Sequence, residues 1–333
     1  MHIPVDFRQR LQQFPLCRVA TPLGHIAYRQ SGAADQATHV LLHGIGSSSA
    51  NWLAQLEAAA LNPAFCLLAW DAPGYGSSDA LPMDAPTAAD YAQRLWAWLD
   101  AMDAITVQHA HSGVTSDAAS AGVAARFTLV GHSLGCLMAA SAAQQSPQRV
   151  KRLILLSPAQ GYARAQAAER DKKLQDRLDA LTRLGPAGLA QARGAAMLSP
   201  SASADQIAFV QQAMAQINPA GYAQAARMLA GGDLLSDLSL LDSRLLDSRL
   251  VAAQSACPVW VASGSADTIT PPAGCQQVAV HINAPYISLG AVGHACAVEA
   301  AHEVTRLIGL TAPAVAPWVS AATADMPTAK VAA

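Results

Sequence analysis

The chain is 333 residues long, 52% hydrophobic and only 13% charged, a composition that excludes a disordered polyelectrolyte. Its 21 basic and 23 acidic residues leave a net charge of −2, so no bulk field draws it to nucleic acid or anionic lipid. A membrane span is excluded as well: the most apolar long stretch, Phe127–Val150, is broken by Gly131, His132, Ser133, Gln144, Gln145 and Pro147.

From the N-terminus, Asp6, Arg8 and Arg10 stand where a signal peptide carries its apolar segment, so a cytoplasmic location is expected. Cys17–Thr21 and His25–Gln30 read as two short strands joined through Pro22-Leu23-Gly24. Thr38–Leu42 is an apolar strand delivering into His43-Gly44-Ile45-Gly46. A helix over Ala50–Ala60 and a buried strand over Phe65–Trp70 follow, then a Pro- and Gly-punctuated loop from Asp71 to Asp79. Thr87 can cap a helix running to about Met102. His109–Ala125 is small, polar and without periodicity, and is expected to be a loop. Phe127–Gly131 and Val150–Leu156 are strands around an Ala-rich helix, Gly135–Gln145, which Pro147 stops. Between Pro158 and Pro258 the pattern is helical only, including Ala163–Leu184 with its alternating charges. The direct duplication Leu240–Arg244 and Leu245–Arg249 is too short to be a repeat unit and belongs to a helix. Val259–Ser263, Gln276–His281, Tyr286–Leu289 and Ala297–Ile308 continue as strand, helix, strand, helix.

This alternation predicts an α/β fold with a mostly parallel, doubly wound sheet. The expected organisation is a core of residues 1–157 and 257–310, a helical cap of 158–256, and a loosely ordered tail of 311–333. The cysteines Cys17, Cys66, Cys136, Cys257, Cys275 and Cys296 show no CxxC pair and read as small buried residues of a reducing compartment. His109 and His111 supply only two ligands, so no metal is expected, and no dinucleotide fingerprint follows any strand, so no cofactor is expected.

Gly131-His132-Ser133-Leu134-Gly135 is a G-x-S-x-G between a predicted strand and a predicted helix. A serine at so sharp a turn has strained backbone angles, and the flanking glycines remove side chains that would collide. The helix N-terminus behind it offers positive potential to an oxyanion. Ser133 is therefore the candidate nucleophile.

Five segments in this order resemble the α/β-hydrolase fold family: HGIG at 43–46, DAPGYGSSD at 71–79, GHSLG at 131–135, GSADTITPP at 264–272 and GAVGHA at 290–295. The resemblance spans about residues 17 to 310 and implies that fold, with a helical cap inserted in the sheet. It implies a base at His294 and an acid at Asp267, following Ser133 in the family's chain order. It also implies an oxyanion hole from the backbone N–H groups of Leu134 and Ile45, and a shaping role for Asp71 and His132.

A serine at the elbow separates the chain from relatives that carry aspartate there, such as haloalkane dehalogenases and epoxide hydrolases. The resemblance implies acyl transfer on a small-molecule ester or lactone, and HGIGSSSANW and WDAPGYGSSD are most similar to bacterial enol-lactonases and small-ester hydrolases. Three alternatives stay open: a meta-cleavage carbon–carbon bond hydrolase, a cofactor-free perhydrolase, and a non-catalytic binding protein on the same fold. Neither the substrate nor the oligomeric state follows from the sequence.

Overall fold

A computed structural model of the chain describes residues 5–32, 37–62, 64–111, 126–248 and 257–310. It opens with α1 (Val5–Gln12), β1 (Cys17–Thr21), β2 (Gly24–Gly32) and β3 (His39–Leu42), followed by α2 (Leu53–Ala60), β4 (Cys66–Trp70) and α3 (Ala88–His111). Next come β5 (Phe127–His132), α4 (Leu134–Gln145) and β6 (Val150–Leu156). The helices α5 (Ala167–Arg193), α6 (Ala204–Ala215), α7 (Pro219–Gly231) and α8 (Leu234–Ser248) precede β7 (Val259–Ser263), α9 (Pro272–His281), β8 (Tyr286–Ser288), α10 (Cys296–Glu299) and α11 (Ala301–Leu307).

The strands form one sheet in the order β1-β2-β4-β3-β5-β6-β7-β8. The β1–β2 hairpin and the β2–β4 pair are antiparallel, and every pairing from β4 across to β8 is parallel. Successive residues of the central strands enter opposite cores, as the two-residue period of a strand requires. Val40, Leu42, Leu68, Leu129, Leu153, Leu155 and Val261 face one cluster, built with α3, α4, α8 and α9. Leu41, Leu67, Val130, Ile154, Leu156 and Ala262 face the other, built with α2, α10 and α11. Both faces are thus covered, which is why these strands read as unbroken apolar runs. The chain is a three-layer α/β sandwich, and the parallel pairing brings the carboxyl ends of β3, β5, β6, β7 and β8 to one edge.

Several elements depart from the sequence reading. Thr87 and Asp90 do form a reciprocal cap at the start of α3, with Thr87 N–H donating to Asp90 Oδ2 at 2.7 Å and Asp90 N–H donating to Thr87 Oγ1 at 3.3 Å. The helix then runs to His111, beyond Met102, since no glycine or proline interrupts the chain before Gly113. His109–His111 are accordingly helical, and the remainder of the expected loop, 112–125, lies outside the described residues, as does the tail 311–333. The helix expected to end at Leu184 continues to Arg193 through a break at Gly185, whose φ of 60° and ψ of 178° are followed by Pro186. The final helix is split into α10 and α11 at Ala300. Finally, the helical segment between β6 and β7 is not uniform: α5 packs on α6 and α7, whereas α8 lies along α4, burying Leu238 and Leu241 in the core of the sheet. Both copies of the LLDSR duplication fall in α8, apart from Arg249, which is outside the described residues.

Helix α4 crosses the sheet so closely that a Cβ at Gly135 would run into the Leu42 carbonyl oxygen at the end of β3. A Gly135→Ala substitution is expected to destabilise the fold by ~2 kcal/mol or more, because neither backbone can give way. Gly231 in α7 has open space around it, so Gly231→Ala should lie within about 1 kcal/mol of the parent or stabilise it. Urea unfolding of the two variants checks the contrast.

Candidate active site

Ser133 sits between β5 and α4 with φ 53° and ψ −115°, a conformation that L-residues rarely adopt and that costs of order 1–3 kcal/mol. Backbone bonds hold it there. Its N–H donates to the Leu156 carbonyl at 2.9 Å, and its own carbonyl accepts from Cys136 N–H at 3.0 Å and Ala159 N–H at 3.2 Å. The glycines on either side are required by space. A Cβ at Gly131 would lie 2.6 Å from the Gly135 oxygen and 2.7 Å from the Cys136 Cα.

Asp267 and His294, delivered by the loops after β7 and β8, meet at 2.9 Å between Asp267 Oδ2 and His294 Nδ1. Both side chains are essentially shut off from solvent. The other carboxylate oxygen, Oδ1, accepts the backbone N–H groups of Ile269 and Thr270, each at 2.9 Å. Burial by itself pushes the Asp267 carboxyl up, but the hydrogen bond and charge of His294 and the Thr270 N–H outweigh it and bring it down to about 2. An ionised Asp267 fixes the His294 proton on Nδ1 and leaves Nε2 as the basic nitrogen. Ser133 and His294 line one cavity.

His132 stands beside the serine and is buried, its ring 4.9 Å from that of His294. Its Nε2–H donates to the His294 carbonyl at 2.7 Å, steadying the loop that carries His294. Burial, with the nearby His294 charge, depresses its pKa to about 3, so His132 is neutral at physiological pH.

The loop after β3 is braced from below. His43 Nδ1–H donates to the Gly44 carbonyl at 2.8 Å, and its Nε2 accepts the Ala72 N–H at 3.0 Å. Asp71 Oδ1 accepts the Ser49 N–H at 2.7 Å. Asp71 and His43 thus clamp the two glycine-bearing loops together. None of the described residues accepts a hydrogen bond from the backbone N–H of Ile45 or of Leu134. Two donors with no internal acceptor, one in the loop beside Ser133 and one at the head of α4, are what a developing oxyanion needs.

Two contributors were not singled out from the sequence. The Thr270 hydroxyl lies 2.9 Å from Asp267 Oδ2, 3.1 Å from His294 Nδ1 and 3.1 Å from the Ser157 carbonyl, capping the Asp267–His294 pair. It stands inside the GSADTITPP segment, where a side chain three residues after the acid is the only available signal. Glu299 of α10 accepts the N–H groups of Gly293 at 2.9 Å and Ser199 at 3.0 Å, tying the His294 loop to the helical segment. No spacing rule in the sequence foretells that bond.

The cavity holds about 220 Å³ and is roofed by the helical segment, with Arg177, Arg193, Met214 and Tyr222 facing the floor of Ile45, Ser133 and His294. Among the described residues no helix is long and apolar enough to cross a membrane.

Residues 40–307 match the model of the alpha/beta hydrolase family. Among solved structures, the chain is similar to a hydrolase from Pseudomonas aeruginosa PA01, at 25% identity and a TM-score of 0.67, over 89% of this chain and 98% of the other. It is similar to the enol-lactonase from Burkholderia xenovorans LB400 at 19% identity and a TM-score of 0.67, covering 88% and 98% of the two chains. A thermophilic esterase from Thermogutta terrifontis matches at 21% identity and a TM-score of 0.66, covering 88% and 96%.

The Asp267 environment has a measurable consequence. Its folded pKa of about 2 lies below the ordinary 3.8, so folding favours the ionised carboxylate. That contribution, ~2 kcal/mol, is whole above about pH 4 and is lost as pH falls toward 2. Urea-unfolding free energies between pH 6 and the acid transition should fall more steeply for the parent than for Asp267→Asn. Parallel curves would mean that the carboxyl is not held low.

Proposed function

The chain belongs to the alpha/beta hydrolase family, and on that premise we propose that it is a serine hydrolase cleaving a small carboxylic ester or lactone through an acyl-enzyme. One observation carries the reading: Ser133, on a strained turn, shares a cavity with a His294 whose far nitrogen is bonded to a buried, ionised Asp267.

In this mechanism Ser133 Oγ attacks the substrate carbonyl while His294 Nε2 takes the hydroxyl proton. The carbonyl π electrons move to oxygen, and the resulting oxyanion accepts the N–H groups of Ile45 and Leu134. As the tetrahedral species collapses, the C–O bond to the alcohol breaks and His294 returns its proton to the departing oxygen. A water then repeats the sequence on the acyl-enzyme, giving its proton to His294 and releasing the acid as Ser133 recovers its own. Asp267 stays ionised throughout and stabilises the imidazolium. A neutral His132 adds no opposing charge.

The space supports a small acyl group. At about 220 Å³ the cavity is only modestly larger than the ~150 Å³ cavity that accommodates benzene. The cap is read as the part of the helical segment that roofs the cavity, α5 to α7 with the turns that flank them, which would make it the determinant of acyl preference. Helix α8 is assigned to the core.

A fluorophosphonate probe is expected to label Ser133, with the label lost in Ser133→Ala. Hydrolysis of nitrophenyl esters should fall by ~10⁴-fold in Asp267→Asn with folding retained, because the amide favours the wrong His294 tautomer. An enol-lactone and a vinylogous diketone assayed alongside the esters separate C–O from C–C cleavage. Labelling at another serine, or near-parental turnover in Asp267→Asn, would refute the assignment.

A further inference from the structure

The roof of the cavity carries charge that the chemistry above does not use. Arg177 and Arg193 both line it, and among the described residues no Asp or Glu does. On the same helix Lys172 is paired with Asp176 and Lys173 with Glu169, yet neither Arg177 nor Arg193 has an ion pair among the described residues. These cations are a local feature, since the chain as a whole carries a net charge of −2.

Their convergence is built by the break in α5. On an unbroken helix the rise from position 177 to position 193 would be about 24 Å. Gly185 turns the chain, with φ 60° and ψ 178°, and both side chains then reach one cavity. Arg177 is held in place by phenols. One of its terminal nitrogens donates to Tyr162 Oη at 3.3 Å, and Tyr222 lines the same cavity close enough to act on its charge. Tyrosine hydroxyls orient a guanidinium without neutralising it, so the charge still lacks a counter-ion in a partly desolvated place, a costly arrangement when nothing is bound. Tyr222 also abuts the loop proposed to hold the oxyanion: a Cβ at Gly46 would lie 4.0 Å from its ring. One phenol therefore separates the loop from the guanidinium.

We propose that the substrate is a half-ester of a short dicarboxylic acid, with its free carboxylate bound by Arg177 and Arg193 and its esterified carbonyl presented to Ser133. The inference rests on the hydrolase reading and adds the substrate class. Arginine suits the role, since its planar fork matches a carboxylate and its charge persists at any physiological pH.

The test compares mono-p-nitrophenyl glutarate with its methyl-capped neutral counterpart, p-nitrophenyl methyl glutarate, at low salt. The parent should prefer the anionic ester in kcat/KM by at least tenfold. That ratio should fall about 10- to 100-fold in Arg177→Met and in Arg193→Met, with the loss mainly in KM. Arg177→Lys, which keeps the charge, should restore part of it. Circular dichroism confirms folding, and each arginine serves as a second variant should the other fail to fold. No preference in the parent, or a ratio unmoved by either Met variant, overturns the inference while labelling of Ser133 keeps the hydrolase reading standing. Should Ser133 resist the fluorophosphonate and no ester be turned over, the hydrolase reading falls, and calorimetry with glutarate decides the anion site by itself. Glutarate binding lost in Arg177→Met and Arg193→Met upholds that site; no binding to the parent overturns it.

Discussion

The passage from β5 into α4 takes a single residue, and much of the site depends on how that turn is held. Ser133 occupies a disfavoured backbone region because the end of β6 pins its N–H and the following helix pins its carbonyl. Gly131 and Gly135 permit the close approach of helix to sheet, and a side chain at either would strike backbone. The same turn places the Leu134 N–H, without an acceptor among the described residues, at the head of α4 beside the Ile45 loop. Strain at the serine and availability of the two donors are one geometric fact.

Electrostatics around this turn are arranged by burial as much as by charge. Asp267 is deep in the protein yet stays ionised, because both oxygens accept hydrogen bonds and His294 faces it. His132 and His43 are buried and accordingly driven toward their neutral forms. Neutral imidazoles serve here as braces with defined tautomers, one for the loop that carries His294 and one for the loop after β3. Of the three, His294 is the one with a carboxylate at hydrogen-bond distance.

The roof follows a different logic from the floor. Parallel strands covered on both faces make a rigid edge, whereas α5 to α7 are held mostly by one another and by anchors such as Glu299 to Ser199. A kinked helix can present side chains that a straight one would scatter, and the Gly185-Pro186 break does this for α5. Specific chemistry on a fixed floor, with recognition assigned to a separately built roof, is a division that lets one fold serve many substrates.

Much of this molecule was legible from local patterns. Apolar runs bounded by turn residues identify β3 to β7, and G-x-S-x-G between strand and helix marks Ser133, since a tight turn imposes its glycines on the immediate sequence. The order of segments around Asp267 and His294 pointed to two residues that the tertiary structure brings to 2.9 Å. Local pattern also misled: the small, polar character of His109–Ala125 suggested a loop where His109–His111 are still helical, and uninterrupted helical character between β6 and β7 did not show that α8 packs along α4. Four features were decided by tertiary structure alone: the Thr270 cap on the Asp267–His294 pair, the Glu299 anchor, the neutrality of His132 and the cavity that Arg177 and Arg193 both line. Each depends on which distant residues become neighbours and how much water they exclude. Neither is written in the spacing of residues along one segment, because burial and long-range contact are properties of the packed chain.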